Sequence, residues 1–240
     1  MNDDNRVTPH GSELVDLLVD EERARLLKEI AFNLPDLTLN ERQMCDLELL
    51  ATGGFSPLKG FMIRSDYESV LDRMRLQNDT LWPIPICMDI DELKARNLEA
   101  GQSVALRDPE GYLLAVMHIE DLWPVEREKE AQQVYGTLDQ DHPGIEYLYK
   151  ISGDYYIGGQ LEVLSPPLHS DFKQLRMTPA ETRANFKKFG WKRMVAFMTR
   201  NPIHRPQYEM TMNAMRDANA NLLLLPIAGM TKPGDFDHYT

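Results

Sequence analysis

Cysteine is scarce in this sequence, with only Cys45 and Cys87 among 240 residues. Neither belongs to a CxxC pair or to a Cys/His spacing, which argues against a disulfide framework and against a zinc site. We therefore expect no metal site in the protein itself and a reducing, cytoplasmic environment.

Long hydrophobic runs are also absent. No apolar stretch approaches the roughly 20 residues that are needed to cross a bilayer. The first residues, MNDDNRVTPHGSE, are polar and acidic and do not resemble an export signal. The sequence therefore predicts a protein without a membrane partner.

Positive charge is in deficit, because 38 acidic residues outnumber 26 basic ones and give a formal net charge of -12. Such a chain repels polyanions unless its basic residues are gathered locally. Nucleic acid is thus not an expected partner, and any anionic substrate requires a local cationic site. The length and the 42% hydrophobic content fit one large or two modest domains.

Two capping-box patterns mark helices in the first half of the chain. Thr38-x-x-Glu41 predicts a helix over Glu41 to Ala51 that ends at Gly53, and Ser65-x-x-Glu68 predicts a second helix start.

Further along, the segments TLWPIPICMDI and SVALRDPEGYLLAVMHIEDLWPV show a period of two in their apolar residues and are interrupted by prolines, which is typical of strands. Asp108-Pro109-Glu110-Gly111 separates two apolar runs as the turn of a β-hairpin does. This part of the chain is expected to form a small β-rich domain.

A domain boundary is predicted near the segment Ser165-Pro166-Pro167, whose prolines cannot continue a ladder or a helix. We place the domains at residues 1–168 and 169–240. Thr178-Pro179-Ala180-Glu181 combines an N-cap, a proline at the first helical position and a capping glutamate, and predicts a helix over 179–189 that ends at Gly190.

The order that follows is a strand over 193–198, a turn over 199–205, a helix over 206–218 and a strand over 221–227. A βαβ unit of this kind has parallel strands, and ligands gather beyond the carboxyl ends of such strands. One helix and two strands do not complete a doubly wound domain. We expect either a further segment of chain or a partner, including a second copy of the chain, to supply the remainder.

The turn between strand and helix has the chemistry of an anion site. A helix start offers unpaired N–H groups and the positive end of the helix dipole, and Arg200 and Arg205 add full charges. Asn201 and His204 add hydrogen-bonding groups. The alternative is that the arginines are solvated surface charges and His204 is a structural histidine.

The loop after the second strand contains Lys232, which is expected at the same sheet edge and within reach of the same anion. Asp235, Asp237 and His238 follow, but this cluster is too thin for a metal site. The sequence contains no glycine-rich P-loop.

Several blocks of the sequence, in order, resemble the ATP sulfurylase (sulfate adenylyltransferase) family. The blocks are LNERQMCDLELLATGGFSPLKGFM, TLWPIPI, HPGIEYLYKISGDYYIGGQLE, GWKRMVAFMTRNPIHR and PIAGMTKPGDFDHYT. The resemblance implies a mixed α/β fold class, in which a β-rich PUA-like domain precedes the beginning of a Rossmann-like nucleotidyltransferase domain with parallel strands. It also implies that ATP and sulfate are the substrates, with Mg²⁺ bound to ATP and no tightly bound cofactor.

The family pattern of glutamine, any residue, Arg-Asn-Pro, any residue and His-Arg-Ala-His-Glu aligns with the turn. The resemblance implies catalytic positions at Thr199, Arg200, Asn201 and His204. In that alignment Arg200 grips sulfate, Asn201 steadies the phosphates and His204 stabilises charge on them.

The chain departs from the pattern at two substrate-binding positions. Met198 replaces a glutamine that contacts sulfate, and Gln207 replaces a histidine, within a Pro206-Gln207-Tyr208 segment that replaces Ala-His-Glu. A thioether donates no hydrogen bond, and a neutral amide cannot supply a positive charge. With the family's later glycine-arginine-aspartate segment falling beyond Thr240, these changes predict that this 240-residue polypeptide alone makes no adenylyl sulfate.

Three functions remain open from sequence. The first is sulfate adenylyltransferase, present as an amino-terminal portion or a truncated product of a longer enzyme. The second is a diverged relative that binds a nucleotide or anion, or regulates an active partner. The third is a PUA-like RNA-binding module, which the net charge of -12 disfavours.

Overall fold

The computed structural model describes residues 8–227 and divides the chain into two compact units. The first unit is Pro9–Ala180. The described residues of the second unit are Thr8 and residues 181–227. Among the described residues, no helix is both long enough and apolar enough to cross a membrane.

The first unit is a mixed sheet with helices packed around it. Its strands are β1 (Asp36–Thr38), β2 (Gly60–Phe61), β3 (Met88–Ile90), β4 (Ser103–Arg107), β5 (Leu113–Pro124) and β6 (Tyr155–Val163). Its helices are α1 (Glu21–Ala31), α2 (Glu41–Thr52), α3 (Arg64–Arg73), α4 (Glu92–Ala95), α5 (Arg127–Glu130), which continues as a π-helical turn (Ala131–Tyr135), and α6 (Pro143–Lys150). Helix α7 (Pro179–Lys188) begins at the end of this unit.

The sheet has the order β1-β4-β5-β6-β2, and β3 also pairs with β6. Strand β1 runs parallel to β4, while the other pairs are antiparallel. The predicted hairpin is confirmed between β4 and β5, where the Tyr112 N–H donates to Asp108 Oδ1 at 2.7 Å. Gly111 adopts a φ of 91°, a left-handed conformation that glycine tolerates without strain. Of the segment TLWPIPICMDI, only Met88–Ile90 forms a strand.

The core of the first unit lies on both faces of this sheet. The consecutive residues Leu114 to Met117 of β5 are all buried, which requires packing against both faces of the strand. Helix α2 contributes Leu47 and Leu50, and α3 contributes Val70. Full burial of one such side chain stabilises the fold by about 1.5–3 kcal/mol.

Helix α2 begins at Glu41, as the sequence predicted, but its capping box uses a different residue. The expected helix and its end at Gly53 are confirmed, but the N-cap is Asn40, which exchanges hydrogen bonds with Gln43. Thr38 instead lies in β1, opposite Arg107 of β4. Thr38, which the motif assigned to the N-cap, is therefore part of the sheet, and Asn40 caps the helix.

The second expected capping box is wrong. Helix α3 starts at Arg64, its N-cap Ile63 makes no side-chain cap, and Ser65 lies inside the helix. Glu68 accepts a hydrogen bond from Arg64 Nε at 2.8 Å across one helical turn instead of reaching back to the cap.

The second unit has the predicted βαβ order. Strand β7 (Met194–Thr199) pairs in parallel with β8 (Asn221–Pro226), and helix α8 (Arg205–Ala218) connects them. The predicted helix over 179–189 is confirmed as α7, which ends before Gly190 at a φ of 68°. In residues 181–227, Thr211 alone is fully buried, so this part of the chain has little core of its own.

Candidate functional site

The candidate site is the turn over residues 198–207, between the carboxyl end of β7 and the start of α8. Thr199 ends the strand, and its hydroxyl donates to the carbonyl oxygen of Asn201 at 2.7 Å. The Asn201 N–H in turn donates to Thr199 Oγ1 at 3.3 Å. This local pair of hydrogen bonds fixes the chain as it leaves the sheet.

The first turn of α8 follows directly. His204 is the N-cap with extended backbone angles, and Arg205 is the first helical residue. The His204 N–H donates to Oε1 of Gln207 at 2.9 Å. Gln207, which the alignment places at a substrate-binding position, therefore caps the helix in this structure.

Backbone donors at this helix start are fewer than usual. Pro206 occupies the second helical position and has no N–H to offer to an anion. The helix dipole still favours negative charge at this end. An anion at this turn would consequently depend mainly on side-chain donors.

Those side chains are accessible. Arg200, Asn201, His204 and Arg205 are exposed, and Thr199 is half-buried. Met198 exposes 62% of its surface although it belongs to an apolar strand. Its thioether provides no hydrogen-bond donor at this edge.

The chain that leaves β8 lies next to the end of β7. Thr199 opposes Pro226 in the parallel register, and the Ile227 N–H donates to the Thr199 carbonyl oxygen at 2.9 Å. The carboxyl ends of both strands thus meet at one edge of the sheet. Lys232, the remaining predicted site residue, lies outside the described residues.

Charge is distributed unevenly along the chain. Between Glu181 and Ile227 there are eight lysine or arginine residues and three acidic ones, whereas Pro9–Ala180 has 16 basic and 31 acidic residues. The basic residues that an anion site requires are therefore gathered in the segment that contains the turn.

A metal centre is not evident near the turn. The described part of the chain contains no group of three or more His, Cys, Asp or Glu side chains able to hold a metal ion. Residues 198–207 themselves include no carboxylate. Both cysteines are free, Cys45 at the surface and Cys87 in the core.

Comparison with protein families divides the chain in the same order as the fold. Residues 7–166 match the PUA-like domain family, and residues 173–240 match the ATP-sulfurylase family. The protein is therefore of the class that joins a PUA-like domain to a segment similar to the ATP-sulfurylase family.

Curated relatives agree along nearly the whole chain. A sulfate adenylyltransferase from Mycosarcoma maydis is 47% identical over 97% of this chain, and one from Eremothecium gossypii is 44% identical over 98% of it. The chain belongs to the PUA-like domain family, whose model matches residues 7–166, and its residues 173–240 are similar to the ATP-sulfurylase family. It spans 41% and 47%, respectively, of the lengths of these two relatives.

A solved structure supports the fold. A chain described as hexameric APS kinase from Thiobacillus denitrificans superposes with a TM-score of 0.78 and 35% sequence identity. The superposition covers 94% of this chain and 40% of that one. The mixed α/β fold class predicted from sequence is thereby confirmed, while the domain boundary at 168/169 stays a prediction.

The structure also contains a cluster of charged side chains that no sequence motif predicted. In the first unit, Arg42 binds both Asp46 and Asp89, at 2.7 and 2.6 Å. Glu130 lies nearby, 7% exposed, beneath two tyrosine hydroxyls. These residues come from separate elements, so no sequence spacing links them.

Proposed function

We propose that this chain is the amino-terminal portion of a sulfate adenylyltransferase and that residues 198–207 form one wall of its ATP and sulfate site. The exposed basic turn at the carboxyl end of β7 is the observation that supports this most directly. The names of the curated relatives support the same activity.

In the proposed reaction, a sulfate oxygen forms a bond to the α-phosphorus of ATP as the bond from that phosphorus to the pyrophosphate oxygen breaks. Adenylyl sulfate and pyrophosphate are the products. This displacement does not require a proton to be removed from sulfate, which is already a dianion at neutral pH. Catalysis consists of holding two anions in line and neutralising the charge that develops.

The turn residues divide this work. Arg200 presents a guanidinium fork to sulfate, and Asn201 donates its amide N–H groups to phosphate oxygens. His204 and Arg205 face the charge on the phosphates from the helix start, and Thr199 sets the direction of the turn through its hydrogen bonds to Asn201.

Mg²⁺ enters with ATP in this proposal. No carboxylate in the turn could hold the ion, so the phosphates themselves would supply its ligands. We accordingly propose no cofactor bound tightly to the protein.

Two features lower the expected rate of the chain by itself. Met198 offers sulfate no donor, and the side-chain oxygen of Gln207 is engaged in capping α8. By comparison with the loss of one oxyanion donor, each substitution costs about 10²-fold or more in rate. We also expect the missing parts of the site to be supplied by a further segment or by association of chains in the cytoplasm.

Calorimetric titration of the purified chain with sodium sulfate and with MgATP tests the site. We expect binding that Arg200→Ala weakens at least tenfold, since a charged hydrogen bond contributes about 1.5–3 kcal/mol. Arg216→Ala is the matched control, because Arg216 lies in the last turn of α8 and bonds only Asn213 among the described residues. Absence of binding by the unaltered chain would contradict the proposal.

Release of pyrophosphate from ATP, measured with and without sulfate, tests whether the chain catalyses the reaction by itself. The 240-residue chain is expected to bind the substrates without sulfate-dependent turnover.

An RNA-binding role is disfavoured by the 31 acidic residues of the PUA-like unit, and filter binding with RNA at moderate salt tests it.

A further inference from the structure

A cavity of about 210 Å³ opens into the PUA-like unit, and all of its lining residues belong to that unit. Its walls come from α2, residues 84–87, the end of α5 with its π-helical turn, α6 and the start of β6. At ~30 Å³ per water molecule, the volume is that of about seven waters, which is enough for a small organic molecule. Single π-helical turns occur frequently at functional sites.

Glu130 is the buried charge of this cavity. Its Oε2 accepts hydrogen bonds from the hydroxyls of Tyr67 and Tyr156, both at 2.9 Å. Its Oε1 accepts no hydrogen bond from any described residue, and no lysine or arginine in the described chain bonds to it. Burial raises the pKa of this carboxyl, although the two tyrosine hydroxyls oppose the rise. A buried carboxylate normally requires a cationic partner.

The neighbouring arginine cannot be that partner. Arg42 donates to Asp46 at 2.7 Å, to Asp89 at 2.6 Å and to the Tyr147 hydroxyl at 2.8 Å. Its charge is therefore already matched by two carboxylates. Asp46 also lines the cavity, and its Oδ1 accepts no hydrogen bond from the described residues.

The remaining walls suit an organic cation better than an anion or a metal ion. The rings of Tyr135, Tyr147 and Tyr156 line the space, and aromatic faces attract ammonium groups. Within the described residues, no three potential metal ligands lie together. The excess of carboxylates over the single arginine disfavours an anion.

We propose that this cavity binds a small organic ammonium ion, with its N–H groups donating to Glu130 Oε1 and Asp46 Oδ1. The tyrosine rings enclose its alkyl portion. The proposed ligand contacts only residues of the PUA-like unit.

The test is an NMR titration of the 240-residue chain at pH 7.5 with n-propylammonium chloride, following backbone amide shifts of the cavity residues. Sodium chloride controls for ionic strength, and n-propanol provides an uncharged molecule of similar shape. Saturable shifts are expected with the ammonium ion, at least tenfold tighter than with the alcohol. Shifts that do not saturate, or equal binding of both molecules, would overturn the proposal.

Variants identify the acceptor. Glu130→Gln keeps an oxygen for the two tyrosine hydroxyls and is expected to weaken ammonium binding at least tenfold, or 1.4 kcal/mol. Glu128→Gln removes the same charge from an exposed position of α5 and should change binding less than twofold. Unchanged binding by Glu130→Gln would refute the site. If that variant does not fold, Asp46→Asn gives the same comparison.

Discussion

Replacement of Arg42 by methionine should destabilise the PUA-like unit strongly. Arg42 joins Asp89, which is 6% exposed, to Asp46 in helix α2. Removing one partner of a buried ion pair leaves an uncompensated charge and costs about 3–5 kcal/mol. Because Arg42 is itself 32% exposed and Asp89 also accepts the Gly153 N–H at 2.8 Å, we expect the lower end, about 3 kcal/mol.

Urea unfolding followed by circular dichroism measures this loss. The expected value is a large part of the total stability of a typical domain, which is about 5–15 kcal/mol. Arg25→Met is the matched control, since Arg25 is exposed on α1, and its effect should stay within about 0.5 kcal/mol. Arg42→Met combined with Asp89→Asn should recover part of the loss, because the stranded charge is then removed.

The loss should also depend on pH. Burial raises the pKa of Asp46 to about 6, against the opposing effect of Arg42. A carboxyl whose folded pKa lies above its unfolded value destabilises the fold once ionised, so stability decreases as pH rises from about 4 to 6. Without Arg42 this pKa rises further, and the variant should lose less stability at pH 5 than at pH 7. A loss below 1 kcal/mol at pH 7, or one independent of pH, would refute the reasoning.

Three further predictions concern other parts of the chain. Gly158→Ala should lower stability by about 1–3 kcal/mol in thermal unfolding, because the added methyl group meets the Met62 backbone carbonyl. The pKa of Glu162 is lowered to about 2, chiefly by its hydrogen bonds from Arg23, so its stabilising effect is present above about pH 4.5 and is lost as pH falls toward 2. Arg23→Gln should raise that pKa in an NMR titration. Met198→Gln should tighten sulfate binding about tenfold in calorimetry by adding a donor at an exposed position.

Each of these three variants has a matched control in which the same type of substitution is made at another position. Gly54→Ala meets first the flexible end of Leu49 and should cost less than Gly158→Ala. Arg25→Gln should leave the Glu162 titration unchanged, and Met210→Gln, on the exposed surface of α8, should leave sulfate binding unchanged. Equal effects of a variant and its control would contradict the corresponding prediction.

The candidate turn was predictable because its signals are local. The apolar run before Thr199, the proline near the helix start and the apolar run after Ala220 define a strand, a helix and a strand without knowledge of distant contacts. The structure confirms their order and the parallel pairing of β7 with β8. The capping role of Gln207 was not predicted from sequence. Its side-chain oxygen accepts a hydrogen bond from the His204 N–H, and this contact depends on where the helix begins.

The sequence by itself determined the strand, helix and strand order after Gly190, the hairpin at Gly111 and the gathering of basic residues after Glu181, because composition and short periodic patterns encode each of them. Only the tertiary structure decided that Thr38 pairs in a strand instead of capping a helix, and that Arg42 meets Asp89. These two contacts join residues 69 and 47 positions apart along the chain. Their partners are selected by the packing of whole elements, which no local pattern of residues records.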